Sequence, residues 1–291
     1  MATKPTLSCR DRYEKEFIDE LAKAGTSLYK AFVDAIRAYA IALHNAVIRE
    51  TNPEEFQRGE EEYLSIVKKY KKEQADHLVN ACTVIAKALN VNRRDFLGRM
   101  MEVVGTTQAG LGQCFTPAHM AELMAEITWK DEYKEMADRG EVLIINDPTC
   151  GGCVLPIEAA ESFMRHGVPQ SQIFVKVEDI ENVAFNVSYI QLTLLGYAAV
   201  VTRQNTLTEE VYEGPWYTLG YYLHDMENRL RFKDMIHILQ GLFAKGGIGD
   251  KPKESESADA PTSPTSQAES PEPSPPPDEP QTATVTQLEL F

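Results

Sequence analysis

Apolar positions in the first part of the chain recur with the spacing of amphipathic helices. Between residues 11 and 50 they lie four or seven positions apart, which places them on one helical face. These positions are Phe17, Leu21, Leu28, Phe32, Ile36, Leu43 and Val47. The segment Asn52-Pro53-Glu54-Glu55 supplies a cap, a first-turn proline and early acids, and so predicts a second long helix that ends near Leu89. With a shorter helix predicted over 94–104, residues 1–104 are expected to form a helical N-terminal region.

The pattern changes after residue 116, where short apolar runs alternate with helical periods. Thr116-Pro117 predicts the start of a helix that runs to about Ile127, with Thr116 as its N-cap. The strands predicted beyond it are 142–146, 173–178 and 198–203, and the helices between them are 154–166 and 181–195. Such alternation is typical of βαβ units and a parallel sheet. The predicted fold class is therefore α/β, with a partial doubly wound, Rossmann-like sheet within residues 105–245.

The last part of the chain gives weaker structural patterns. Residues 229–243 have the spacing of one further amphipathic helix. After Gly246 the composition changes, and nine of the 16 prolines fall between 250 and 280 among Ser, Glu, Asp and Thr. A segment of this composition buries too little apolar surface to offset its chain entropy. We therefore expect residues 246–291 to be a disordered, acidic, Pro/Ser-rich tail.

The charge of the chain limits the partners that it can bind unaided. Its net charge is −15, whereas affinity for duplex DNA comes largely from Lys and Arg on phosphates. Two runs are candidates for a local basic patch, Arg93-Arg94 and the lysines of 68–72. Because such runs more often form solvated helix faces, a partner protein is one expected route to DNA.

Cysteine usage and hydropathy favour the cytoplasm. Five cysteines, at positions 9, 82, 114, 150 and 153, form no secreted disulfide framework. No apolar run approaches the roughly 18 residues of a membrane span, and the N-terminus lacks the apolar region of a signal peptide. We expect a cytoplasmic protein with no membrane partner.

Two polar segments lie at junctions where a nucleotide-like ligand can bind. The first is 112–117, and the second, 146–153, directly follows a predicted strand. Doubly wound sheets bind ligands at the carboxyl ends of their strands, so an acid and glycines at this point mark a candidate site. The glycines let the backbone pass close to a ligand, and the next helix offers unpaired N–H groups at its start.

Cys150 and Cys153 also form a Cys-x-x-Cys, for which redox or zinc chemistry is an alternative. The chain has no second cysteine pair to complete a zinc site, and we assign no metal.

Both segments resemble motifs of S-adenosylmethionine (SAM)-dependent adenine-N6 DNA methyltransferases, in particular the modification subunits of type I restriction systems. One matching motif is Gly112-Gln113-Cys114-Phe115-Thr116-Pro117, where Cys114 replaces an aromatic residue. The other reads Asp-Pro-x-Cys-Gly-x-Gly in the family, and Asp147-Pro148-Thr149-Cys150-Gly151 matches its first part. Cys153 replaces the last glycine, and a side chain there would press toward the cofactor or force a different turn.

The resemblance implies SAM as the cofactor and a set of residues that would bind it. In the family, the acid after the first strand takes the ammonium, the acid after the second strand holds the ribose hydroxyls, and the loop after the third lies beside the adenine. The upstream motif packs on the methionine end. Carried onto this sequence, the cofactor-binding residues are Gln113, Phe115, Thr116, Pro117, Asp147, Cys150, Gly151, Asp179 and Asn205, with Glu178 as the substitute for Asp179. DNA modification, as in restriction-modification systems of bacteria, phages or plasmids, is the function implied.

The catalytic motif of the same family is missing. The family presents the target base with Asn or Asp, two prolines and an aromatic residue, shortly after the position of Asn205. No such tetrapeptide occurs in this chain, and the nearest candidate is Glu213-Gly214-Pro215-Trp216. Catalytic residues therefore remain unassigned. Two hypotheses follow. The chain is an enzyme whose base recognition comes from a partner or from 213–217, or it is a catalytically inactive accessory protein. The upstream motif argues against a third hypothesis, a methyltransferase that acts on small molecules or proteins.

The end of the tail resembles a peptide that binds the bacterial DNA polymerase sliding clamp. That peptide reads Gln-Leu-x-Leu-Phe, and the chain ends in Gln287-Leu288-Glu289-Leu290-Phe291. A mobile tether would present the apolar side chains to a groove, while Gln287 would fix the register through hydrogen bonds. The resemblance implies partner-binding roles for Gln287, Leu288, Leu290 and Phe291.

Overall fold

A computed structural model describes residues 11–105, 116–231 and 285–289, and its first part is helical. The helices are α1 (Arg12–Ala22), α2 (Leu28–Ile48), α3 (Pro53–Val67), α4 (Lys72–Val91) and α5 (Leu97–Gly105). Side-chain caps begin three of them, because Asp11, Ser27 and Asn52 each accept a backbone N–H from the first turn. The predicted helical region is confirmed. The single long helix expected after Asn52 is wrong, since 68–71 form a turn between α3 and α4.

Helix α2 is long and apolar enough to cross a membrane by length and composition alone. The helix has 21 residues, an 18-residue window within it reaches a mean hydropathy of 1.3, and half of that window is buried inside the protein. From the sequence we expected no apolar run of membrane-spanning length, and α2 was missed. The helix packs on α3, α4 and α9 (Asn182–Leu194), and it carries the buried polar residues Asp34, His44 and Asn45. These are the surroundings of a core helix.

Two helices precede the sheet, α6 (Ala118–Thr128) and α7 (Asp131–Asp138). Helix α6 begins one residue after Pro117, which occupies the cap position, and no side chain caps it. The predicted cap role of Thr116 is therefore wrong. Residues 106–115, which include Gln113, Cys114 and Phe115, lie outside the described residues.

Three parallel strands form the centre of the sheet. They are β1 (Val142–Asp147), β2 (Ile173–Asp179) and β3 (Ala198–Asn205), joined by α8 (Val154–Arg165) and α9, with a 3-10 turn at Gln170–Gln172. The spatial order β3-β2-β1 is that of the first half of a doubly wound fold. The predicted α/β class and parallel sheet are confirmed.

The edges of the sheet hold strands that the sequence did not predict. Strand β4 (Glu210–Tyr217) pairs antiparallel with β3 and leads into the short helix α10 (Leu219–Leu223) and a helical segment at 226–231. At the other edge the backbone of β5 (Val285–Glu289) runs parallel to β1. Strand β5 lies within the predicted tail, and its backbone includes Gln287 and Leu288 of the predicted partner-binding peptide. The rest of the predicted tail and of the predicted helix 229–243 lies outside the described residues.

Helix α9 joins the helical region to the sheet. It is buried on all sides, because one side covers β2 and β3 while the other packs on α2, α4 and α5. A single hydrophobic core therefore runs from Phe17 in α1 to Val175 in β2. A smaller core on the second face of the sheet contains Phe174, Tyr221 and Met226. The shared core fixes α5 against the carboxyl end of β1.

Candidate functional site

The turn after β1 is tied to the end of β2 by backbone hydrogen bonds. The Cys150 N–H donates to the carbonyl of Glu178 over 3.0 Å. The Gly151 N–H donates to Oδ2 of Asp179 over 2.8 Å, and Oδ1 of Asp179 accepts the Glu181 N–H at 2.8 Å. The Asp179 carboxylate thus links the turn after β1 to the segment that leads into α9. Both lie at the carboxyl edge of the sheet, where such sheets bind ligands.

A cavity of about 180 Å³ opens beside this turn, and we call it the β1 cavity. Its walls come from the turn, from the start of α6, from the start of α8, and from α5 with the residues before it. The lining residues are Glu14, Arg94, Asp95, Gly98, Arg99, Glu102, Thr116, Pro117, Ala118, Asp147, Thr149, Cys150, Gly151, Gly152, Val154 and Leu155. The helical region therefore contributes one whole wall of the cavity.

Asp147 ends β1 inside this cavity. Its carboxylate accepts the Thr149 N–H at 3.1 Å, and the residue is 5% exposed. Burial raises the pKa of Asp147 above its ordinary value, and the nearby charge of Asp179 raises it further. A cationic ligand would stabilise the ionised form of this buried carboxylate.

Asp95 is a second carboxylate in the cavity, half-buried, and it was not predicted from the sequence. Its Oδ1 accepts the Gly98 N–H at 2.7 Å and Nε2 of Gln191 at 2.9 Å. Burial raises the pKa of Asp95 to about 6, although both hydrogen bonds favour the charged form. The signal available in the sequence was an Asp three residues before Gly98 at a predicted helix start, where such a residue caps the helix.

Gln191 fastens the helical wall of the cavity to the turn. Its Oε1 accepts the N–H groups of Phe96 and Leu97, at 2.8 and 2.9 Å. Its Nε2 donates to Asp95 and to the carbonyl of Gly152, each at 2.9 Å. All four hydrogen-bonding positions of this fully buried amide are therefore used. A polar residue in the otherwise apolar middle of α9 was the sequence signal for this role.

The charges of the cavity do not balance among its described residues. Arg94 pairs with Asp11 at 2.6 Å, and Arg99 pairs with Glu102 at 2.7 Å. Asp95 and Asp147 form no ion pair with any residue in the described ranges. Asp147 is buried and Asp95 is half-buried, with the charge of Arg94 acting on Asp95. Since buried charges are normally paired, the two carboxylates leave a negative site that a cation can occupy.

Gly152 brings the turn into contact with α5. A Cβ atom on Gly152 would lie 2.5 Å from the Cα of Gly98, which is closer than real Cβ contacts. Gly151 has a φ of +52°, and a Cβ atom there would meet nothing within 4 Å. The two glycines thus serve different purposes, backbone conformation at Gly151 and close packing at Gly152.

Cys153 adopts the left-handed conformation with a φ of +72°. Its side chain is fully buried in the core, and Cys153 is not among the residues that line the β1 cavity. Two consequences were expected of a side chain at position 153, pressure toward the cofactor or a different turn. The structure shows a left-handed turn that directs the side chain into the core and away from the cavity. Cys150 and Cys153 are both free thiols, and Cys150 Sγ lies 3.4 Å from Ser188 Oγ. Burial, followed by the neighbouring Cys150, raises the pKa of Cys153 well above its ordinary value, which makes its thiolate unfavourable.

The structure brings together some of the predicted cofactor-binding residues. Those that line the β1 cavity are Thr116, Pro117, Asp147, Cys150 and Gly151. Asp179 reaches the cavity through its bond to Gly151. Asn205 lies outside it, where its Oδ1 accepts the Leu207 N–H at 3.1 Å in the turn before β4. Gln113 and Phe115 lie outside the described residues.

The substitute for the missing catalytic tetrapeptide lies elsewhere. Residues 213–216 are part of β4, which is separated from β1 by two strands. They border a different cavity of about 500 Å³ between α2, α3 and β4. Trp216 is buried there and stacks on His44 with ring centres 4.0 Å apart, and Glu213 pairs with Arg37 at 2.7 Å. The structure does not bring this tetrapeptide to Asp147.

One of the two predicted basic patches is internally paired. Arg93 donates to Glu161 at 2.7 Å and to the carbonyl of Leu195 at 3.0 Å, while Arg94 pairs with Asp11. Both arginines therefore connect elements of the fold.

Comparison with known proteins gives one distant likeness to report. No protein-family model matches the chain, and no curated protein sequence matches it. The chain is similar to a crystal structure of a protein from Listeria monocytogenes assigned to the class I S-adenosylmethionine-dependent methyltransferases, with 14% identity and a TM-score of 0.35. The match covers 67% of this chain and 54% of that one, so the chain spans about half the length of the solved structure. A likeness this distant says nothing of activity or substrate.

Proposed function

We propose that this protein is a SAM-dependent methyltransferase acting on adenine N6 in DNA, and that the β1 cavity binds the cofactor. The observation that carries the proposal is the pair of carboxylates in the β1 cavity, the buried Asp147 and the half-buried Asp95, neither of which forms an ion pair among the described residues, although the charge of Arg94 acts on Asp95. SAM carries an ammonium and a sulfonium, which supply the missing positive charge. The order of the motifs that resemble the adenine-N6 family supports DNA as the substrate.

Each wall of the cavity has a distinct task in this proposal. Asp147 and Asp95 accept hydrogen bonds from the ammonium, and the start of α8 offers N–H groups to the carboxylate of the ligand. Asp179 keeps lone pairs for the ribose hydroxyls beside the two N–H groups that it already accepts. SAM supplies an electrophilic methyl group, and the protein positions it. Because 180 Å³ is less than the roughly 300 Å³ of small ligand sites, the adenosyl end would extend through the open side.

Recognition of the target base is assigned to a partner protein in this proposal. Glu213 and Trp216 are held by Arg37 and His44 in the other cavity, so neither is free to present an adenine beside Asp147. Removing a base from its stack also needs contacts to the DNA backbone, for which an acidic chain is poorly suited.

Methyl transfer from labelled SAM tests the enzymatic proposal. We expect label to enter N6-methyladenine in mixed-sequence duplex DNA when bacterial extract supplies the partner. Asp147→Asn should lose at least ten-fold in transfer, because it removes a charge that binds the ammonium. Asp19→Asn, at an exposed position on α1, is the matched control and should keep full transfer. Absence of transfer both with and without extract would contradict the enzymatic proposal.

The affinity for SAM should depend on pH in a defined direction. The pKa of Asp95 is raised to about 6, so Asp95 loses negative charge as the pH falls toward 5, and the raised pKa of Asp147 acts in the same direction. Since the ionised carboxylates bind the cationic ligand, affinity should increase from pH 5 to pH 7.5 and binding should release protons below pH 7. Calorimetry in buffers of different ionisation enthalpy measures both effects. Affinity that is constant or falls across this range would contradict the roles of the two carboxylates.

A non-catalytic accessory role is the second candidate, and the position of Glu213–Trp216 in β4 favours it. In this role the protein would bind SAM or a related ligand without transferring the methyl group. The C-terminal peptide would bind a replication or modification partner, with the sliding clamp as the first candidate. Tight SAM binding without transfer in any extract would favour this role.

Clamp binding can be measured separately from catalysis. We expect immobilised sliding clamp to retain the full-length protein, and Leu290→Ala with Phe291→Ala to abolish retention because the apolar anchors are lost. Thr282→Ala lies outside the peptide and should be retained like the unaltered protein. Equal retention of all three proteins would remove the clamp hypothesis.

A further inference from the structure

Helices α2, α3 and α4 form an apolar groove of about 340 Å³ that the proposed function does not use. Ile66 and Leu78 are buried at its base, and Tyr39 and Tyr63 stand at its walls. Val79 on its rim is 59% exposed. None of these residues lines the β1 cavity. The groove offers room for several apolar side chains on the surface of the helical region.

The turn between α3 and α4 joins two helices that line the groove, and it carries a cluster of lysines. Val67 and Ala75 line the groove on either side of this turn. Lys68, Lys71 and Lys72 are exposed, and none of them has a hydrogen-bonded side chain or an ion pair within the described ranges. The fourth lysine, Lys69, lies 3.6 Å from Asp34. The start of α4 also favours a negative group, because its first N–H groups point outward at this end.

We infer that the groove docks an acidic amphipathic segment of a partner protein. The apolar side chains of that segment fill the groove, and its carboxylates meet the three lysines. Duplex DNA would use the lysines but has no group suited to a groove lined by Ile66, Leu78 and Tyr39. A second copy of this chain would need roughly 800 Å² of matching surface on each side, and its net charge of −15 opposes self-association. The segment would bind as an amphipathic helix laid into an apolar groove.

Alanines on the outer face of α2 give a matched pair of variants. Ala42 lines the groove and Ala46, one helical turn further, does not. Both are exposed, so a larger side chain at either position leaves the core intact. Ala42→Phe fills the groove, while Ala46→Phe adds the same side chain to the neighbouring surface.

The test uses the full-length protein and a fluorescein-labelled helical peptide. The peptide carries Leu at i, i+3, i+4 and i+7 and Glu at the other positions, and its binding is followed by fluorescence anisotropy. We expect at least a ten-fold loss of affinity for Ala42→Phe and for the triple variant Lys68→Glu, Lys71→Glu, Lys72→Glu. Ala46→Phe should bind like the unaltered protein. Affinity should also fall as salt rises from 50 to 500 mM, because exposed charges are screened.

Four results would overturn the inference. The first is equal binding of a peptide with Lys in place of Glu, and the second is unchanged binding by Ala42→Phe. The third is lysine-dependent binding of duplex DNA that Ala42→Phe leaves intact, which would make the cluster a nucleic-acid surface. The fourth is a ten-fold gain in peptide affinity when Leu290 and Phe291 are replaced by Ala, which would make the tail of this chain the occupant.

Discussion

Asp95→Asn is expected to stabilise the ligand-free protein at pH 8 and to weaken SAM binding. Asp95 is half-buried, and its pKa is about 6, above the ordinary 3.8. Ionising Asp95 in the folded protein therefore lowers the free energy of unfolding. This loss begins as the pH rises through about 4 and reaches its full value above about 6. Asparagine keeps the oxygen that accepts from Gly98 and Gln191 but carries no charge.

The size of this effect follows from the shift in pKa. About two pK units correspond to at most ~3 kcal/mol, and we expect about 1–2 kcal/mol because an amide must replace Oδ2. Urea denaturation at pH 8 and pH 4.5 measures it, and the gain should fall to about a third at pH 4.5, where Asp95 is mostly protonated in the folded protein but still mostly ionised in the unfolded chain. SAM affinity should fall roughly ten-fold, or ~1.4 kcal/mol, through loss of one charge. Asp19→Asn should change neither property, and a less stable Asp95→Asn at pH 8 would contradict this account.

Gly152→Ala is expected to destabilise the protein far more than Gly151→Ala, although the two glycines are adjacent. The new Cβ at 152 would lie 2.5 Å from the Cα of Gly98, so the turn and α5 must separate. We expect a loss of about 2–4 kcal/mol, which is the range of severe overpacking against backbone. SAM binding should be lost as well, because α5 forms one wall of the β1 cavity.

Gly151→Ala is the matched control for this prediction. Its φ of +52° makes any other residue unfavourable there by about 1 kcal/mol, but the added methyl group meets open space. Urea denaturation of both variants gives the comparison directly. Equal losses of unfolding free energy would show that backbone conformation alone, and not the contact with Gly98, accounts for the glycine at 152.

The central βαβ units could be predicted from the sequence to within two residues. Strand β1 was predicted at 142–146 and lies at Val142–Asp147, and α8 was predicted at 154–166 and lies at Val154–Arg165. Strand β1 is buried on both faces, so its apolar run is uninterrupted, and its end is marked by Asp147 and the glycines that follow. The carboxyl-end position of Asp147 followed from the same pattern.

Elements with weak hydrophobic contrast were missed. The turn at 68–71 contains three lysines and a tyrosine but no Gly or Pro, so a continuous helix was the simpler prediction. Strand β4 has exposed residues over most of its length, and only Trp216 is buried. Its hydrogen bonds to β3 make this segment a strand, although its own hydrophobic pattern does not indicate one.

The second carboxylate of the candidate site depends on contacts between distant parts of the chain. Asp95 and Gln191 are 96 positions apart, and no local pattern indicates that they meet. The direction of the Cys153 side chain was likewise hidden, because it follows from a left-handed φ that favours glycine. Sequence reasoning thus located one wall of the β1 cavity, and the helical wall required the folded structure.

Calorimetric titration of the full-length protein with SAM at pH 7.5 tests the central claim most directly. The account predicts one site per chain with a dissociation constant in the micromolar range, weakened at least ten-fold by Asp147→Asn and unchanged by Asp19→Asn. An absence of measurable binding at millimolar SAM, with the protein folded by circular dichroism, would contradict it, as would equal binding by Asp147→Asn.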